Sequence, residues 1–156
     1  MPYTLLLAAL PAAHAGLALG AIGGAAVAPR PTAESGLWAG AFGGWEIERD
    51  GTHLRPELLI HLNRPGEVLT ASVGVAARWG EVVAPGVYAH VGVPLVGYPL
   101  PAADAGLLLE VRSWGAFRPG LRLGAEYSHP VRDKCGNCLQ PPDFTLDAGL
   151  VVGVAF

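Results

Sequence analysis

The residues of this chain that could do chemistry are few. The one short motif of reactive type is Cys135-Gly136-Asn137-Cys138. A redox pair of the thioredoxin kind needs its first thiol at a helix start, and RDKCGNCLQPPD reads as a polar loop. A zinc site would have to recruit His129 or Asp133, whereas structural zinc wants four ligands at defined spacing. In an oxidising compartment the default is a disulfide between Cys135 and Cys138. Ser128, His129 and Asp133 lie close in sequence, but closeness in sequence does not build a catalytic triad. Neither a metal nor a cofactor is expected. The net charge is −3 and the isoelectric point about 5.9. The basic residues, nine arginines and Lys134, are scattered, so nucleic acid is excluded as a partner.

A second set of ionisable residues is tied together by parity. Glu46, Glu48, Arg55, Glu57, His61, Arg78, His90, Glu110, Arg112, Arg122, Glu126 and Asp147 all fall on one face of segments that alternate with a period of two. Whether they meet depends on the elements that carry them. Charged residues are only 15% of the chain, against roughly 25% in an ordinary soluble domain. Mean hydropathy is +0.39, yet no apolar run approaches the roughly 18 residues a spanning helix needs. The 22 glycines and 14 prolines favour many turns. A chain this apolar without a membrane helix suits a membrane barrel, which spreads its apolar residues by alternation.

Turn signals divide the chain into eight segments, Gly16–Ala28, Leu37–Glu48, Leu54–Asn63, Val68–Trp79, Gly86–Gly97, Ala105–Phe117, Gly120–Ser128 and Phe144–Phe156. In the fourth, Leu69, Ala71, Val73, Val75, Ala77 and Trp79 oppose Thr70, Ser72, Gly74, Ala76 and Arg78. In the last, Phe144, Leu146, Ala148, Leu150, Val152, Val154 and Phe156 oppose Thr145, Asp147, Gly149, Val151, Gly153 and Ala155. A soluble lipocalin-type barrel also alternates, with its apolar face inward. Here the polar face is rich in glycine and alanine and carries Trp38, Phe42, Tyr88 and Trp114. It suits a packed interior around a charge network, so the apolar face is expected to meet lipid.

Aromatic residues sort the same way. With the first strand starting in the periplasm, Trp45, Trp79, Phe117 and Phe156 fall at one interface and Tyr127 and Phe144 at the other, as an aromatic girdle requires. On strand count, alternation and girdle, and on the ending LDAGLVVGVAF, residues 16–156 resemble the small eight-stranded outer-membrane barrels related to outer membrane proteins A and X. The resemblance implies an all-β, up-and-down transmembrane barrel in the outer membrane of a Gram-negative bacterium. It also implies that Leu150, Val152, Val154 and Phe156 form the assembly signal read by the barrel-insertion machinery. Outer-membrane lipids and lipopolysaccharide would be its other partners. Residues 1–15 are expected to be a signal peptide, with Leu5 to Leu10 as its apolar region and Ala13-His14-Ala15 as the cleavage site. The alternative is an apolar first strand.

Charges in so narrow a lumen must pair, because an isolated one costs several kcal/mol. The expectation is a structural salt-bridge plug. A proton or ion path through His61 or His90 is the sharper alternative, and nothing in the spacing favours it. The function expected is non-enzymatic, in envelope structure or surface interaction. The alternatives are a lipid-A-modifying or other lipid-active enzyme and a narrow, porin-like channel for hydrophobic solutes. A Ser-His-carboxylate set on the lipid face fails here, since that face has no His and only Ser113.

Overall fold

Alternating segments bounded by Gly, Pro and Asp can satisfy their backbone groups only by pairing, and closure into a ring leaves no unpaired edge. A computed structural model of the chain describes residues 14–27, 36–63, 68–95, 101–128, 131–132, 138–140 and 143–156. Among them are ten strands: β1 (His14–Val27), β2 (Gly36–Arg49), β3 (Thr52–Asn63), β4 (Val68–Trp79), β5 (Val83–Pro94), β6 (Ala102–Val111), β7 (Phe117–Ser128), β8 (Val131–Arg132), β9 (Cys138–Gln140) and β10 (Asp143–Ala155). Eight close a barrel in the order β1-β10-β7-β6-β5-β4-β3-β2, and β8 and β9 form a separate two-stranded hairpin. Every barrel neighbour pairs antiparallel. The architecture is therefore an all-β, eight-stranded, up-and-down barrel.

One end of the barrel is built from tight reversals. Asp50 and Gly51, at φ of 51° and 72°, make the two-residue turn between β2 and β3 that suits the twist of paired strands. Short connections also join β4 to β5 and β6 to β7. Pro56 interrupts the ladder between β2 and β3: pairing runs to Gly44↔Glu57 and resumes at Ile47↔Leu54. A residue without an N–H leaves a gap of that kind.

Three strands, β5, β6 and β7, differ from their expected bounds by three residues or more. β5 begins at Val83 rather than Gly86, and β6 covers Ala102–Val111 rather than Ala105–Phe117. The pairs Val83↔Val111, Ala84↔Glu110, Pro85↔Leu109, His90↔Asp104 and Gly92↔Ala102 explain the shift. A partner strand already in place recruits residues that look like turn formers. What had read as the end of the sixth segment is a turn over residues 112–116, and Phe117 opens β7. Trp114, expected to face inward, is 64% exposed on that turn and stacks on Phe117 at 6.0 Å between ring centroids. The hairpin β8–β9 was not anticipated within the last loop. Residues 1–13 lie outside the described residues, so the expected leader is not described; β1 itself begins at His14.

Candidate functional site: the charged lumen

The two faces of each strand separate cleanly. Leu37, Trp45, Leu58, Val73, Val91, Leu107, Leu123 and Leu150 are among the large apolar residues exposed on the outer surface. Inside, Ile22, Trp38, Phe42, Leu59 and Val151 pack as an apolar cluster contributed by β1, β2, β3 and β10. Glycines on the inner face make room for these rings. A Cβ on Gly20 would meet the Phe42 ring, and one on Gly124 would meet the Tyr88 hydroxyl.

Much of the remaining interior is charged. Near the end that carries the tight turns, Arg78 is fully buried. It donates to Glu110 Oε2 at 2.6 Å and to Glu46 Oε2 at 3.3 Å. Arg112 donates to Glu46 Oε1 at 2.8 Å. The Arg55 Nε donates to Glu57 Oε2 at 2.5 Å, and its Nη1 stands 4.0 Å from Glu110 Oε2. The Arg55 guanidinium also lies 4.3 Å from the centre of the Phe42 ring, an attraction between a cation and an aromatic face.

Further along, the two ring nitrogens of His90 lie 2.7 Å from Glu57 Oε1 and 3.0 Å from Asp104 Oδ1. Arg122 pairs with Asp104, stands 3.7 Å from Asp147 and stacks over Tyr88 at 3.8 Å. His61 is 3.8 Å from Glu126. The groups from Arg112 through Glu46, Arg78, Glu110, Arg55, Glu57, His90, Asp104 and Arg122 to Asp147 thus form one continuous chain of ionic and hydrogen-bond contacts. Such pairs stabilise only as a set, because removing one member strands its partner in a poorly hydrated space.

Of the twelve ionisable residues singled out from sequence, Glu48 stands at the mouth of the lumen rather than within it. Its carboxylate is 45% exposed and sits 3.6 Å from His53 Nδ1. With Glu46, Arg112 and Arg118 it lines a recess of about 200 Å³ at the end of the lumen that holds the tight turns. Three lumen residues escaped the sequence reading: His53, Asp104 and Arg118. Each falls between the segments read from sequence, in runs that carry Asp, Gly or Pro as turn signals. Carrying the two-residue period on from Arg55 to His53, from Gly106 to Asp104, and from Arg122 through Gly120 to Arg118 would have found all three.

The structure places Trp45, Trp79, Phe117 and Phe156 at the end with the tight turns, exposed on the outer surface. Tyr127 and Phe144, paired in register, stand at the opposite end. Cys135 lies outside the described residues, and so do His129 and Asp133; the disulfide and zinc readings therefore cannot be placed. Among the described residues, no group of three His, Cys, Asp or Glu side chains is arranged to hold a metal ion. His90 faces carboxylates with both nitrogens, which leaves no ring nitrogen turned to a hydroxyl nucleophile.

An all-β chain closed into eight antiparallel strands, with an apolar outer surface around a charged lumen, has the fold of the small outer-membrane barrels. In particular it is similar to a crystal structure of neisserial surface protein A, with a TM-score of 0.58 and 12% sequence identity over 94% of this chain and 100% of that one. No family model matches the chain, and no curated protein matches it by sequence. The likeness is one of fold.

Proposed function

We propose that this chain is a non-enzymatic outer-membrane barrel protein with a role in envelope structure or surface interaction. The observation that carries the reading is the inversion of an ordinary soluble barrel. Large apolar side chains are exposed on all eight strands, while arginines, carboxylates and histidines fill the interior. A soluble monomer rarely exposes a contiguous apolar patch above a few hundred Å². A lipid bilayer makes such a surface favourable and demands that every backbone group be paired, which closure achieves. In this reading the outer surface meets outer-membrane lipids and lipopolysaccharide. Leu150, Val152, Val154 and Phe156 on β10 are the segment presented to the insertion machinery. The tight turns face the periplasm. Ring pairing of His90 with two carboxylates supports a structural lumen over a catalytic one.

The test is expression in a Gram-negative host, with urea-washed membranes separated on a density gradient and lipid A examined by mass spectrometry. The chain is expected in the outer-membrane fraction, with the lipid A spectrum unchanged. Recovery in the soluble fraction overturns the location. A new lipid A species that depends on the chain overturns the non-enzymatic assignment.

A further inference from the structure

His90 has an environment unlike that of the other described histidines. Its side chain is fully buried, and both ring nitrogens lie within hydrogen-bond distance of a carboxylate oxygen, Glu57 Oε1 at 2.7 Å and Asp104 Oδ1 at 3.0 Å. His53 and His61 approach carboxylates only at 3.5 Å or more. A neutral imidazole has one N–H and one bare lone pair. Whichever nitrogen were bare would set a lone pair against an oxygen that can only accept. Both carboxylates are themselves receiving arginine donors, Glu57 from Arg55 and Asp104 from Arg122, which favours their ionised, acceptor-only forms. The remaining arrangement that satisfies every contact is a ring with a proton on each nitrogen.

Groups around the ring come from several strands. β3 brings Glu57 and, behind it, Arg55; β6 brings Asp104. β5 itself brings Tyr88, whose ring centre is 5.4 Å from that of His90. β7 brings Arg122 over Tyr88 and against Asp104 and Glu126 in register with Asp104, with Asp147 of β10 beyond Arg122. Opposite His90, β4 carries only Gly74, and its nearest charge along the inner face is Arg78. Among the described residues, the ring joins the Arg112–Glu46–Arg78–Glu110–Arg55–Glu57 group to the Asp104–Arg122–Asp147 group.

We propose that Glu57, His90 and Asp104 form a proton-holding bridge in which an imidazolium, donating from both nitrogens, ties the two halves of the lumen's ionic network together. This goes beyond the proposed envelope role and depends only on the lumen geometry. The test is nitrogen-15 NMR of histidine-labelled protein folded in detergent micelles at pH 7. The His90 resonances are assigned by their loss in His90→Gln. Should that variant fail to fold, they are assigned by elimination with single His14→Gln, His53→Gln, His61→Gln and His129→Gln variants. Two protonated ring nitrogens, each with a directly bonded hydrogen, are expected for His90. A resonance from a bare imidazole nitrogen at His90 overturns the proposal, even if the protein is folded and membrane-embedded as described above.

Discussion

Arg78 joins Glu46 to Glu110 with no exposure to solvent, so its loss leaves two carboxylates facing each other without their shared cation. Breaking a buried ion pair from one side costs about 3–5 kcal/mol. Arg78→Ala is expected to lower the unfolding free energy obtained by urea titration of protein refolded in detergent by an amount in that range. Arg49 serves as the control. It is 3.5 Å from Asp50, with both side chains more than half exposed, and a pair of that kind contributes about 0–1 kcal/mol. Arg78→Ala as silent as Arg49→Ala would mean the lumen pairing does not hold the fold. Parity along a strand states which face Arg78, Glu46 and Glu110 occupy, and that much was legible in the sequence. Their meeting was not, because it depends on the height and angle of three strands around the ring. Sequence distance gives no hint of it: Arg78 is 32 residues from each partner.

At the level of strands, the number of segments and the faces they present were readable because a slip of one residue would turn every side chain over. Ends were less readable, since hydrogen-bond partners on the neighbouring strand decide them. That is why Asp104 sits inside β6, and why Trp114 turns outward on a hairpin instead of facing the lumen. The same pairing explains which glycines matter. Gly124 of β7 lies opposite Gly106 of β6 and Asp147 of β10, in the space taken by the Tyr88 hydroxyl. Gly124→Ala forces Tyr88, and the Arg122 stacked on it, to move. Overpacking of this kind costs about 1–3 kcal/mol. Gly43 of β2 faces outward, where an added methyl would meet only the flexible Leu19 side chain at 3.1 Å. Urea titration is expected to show a loss for Gly124→Ala and none for Gly43→Ala. Equal effects would mean that the inner-face glycines are not chosen for close approach.

For the whole molecule the question is which solvent the outer surface faces, and one pair of strands decides it. Val73 and Val91 are paired across β4 and β5 near mid-strand, at 58% and 60% exposure; Leu107, also 60% exposed, holds a similar outward position on β6. If the barrel spans a bilayer, arginine at any of these sites places a charge near the membrane midplane, which costs about 2–4 kcal/mol in barrels of this type. If the barrel is a soluble one, arginine there gains hydration and removes exposed apolar area, so stability holds or rises. The inner face responds in the opposite sense. Arg112 holds Glu46 at 2.8 Å, and Arg112→Ala leaves that carboxylate beside Glu48 and Glu110 with one cation fewer, whatever surrounds the barrel. The discriminating experiment is therefore refolding of Val73→Arg, Val91→Arg and Leu107→Arg into lipid vesicles and, separately, into plain buffer. The membrane reading expects the unsubstituted chain to fold only with lipid or detergent, with each arginine lowering the urea midpoint in vesicles. A chain that folds in plain buffer and tolerates all three arginines would put its apolar surface in water and end the outer-membrane assignment.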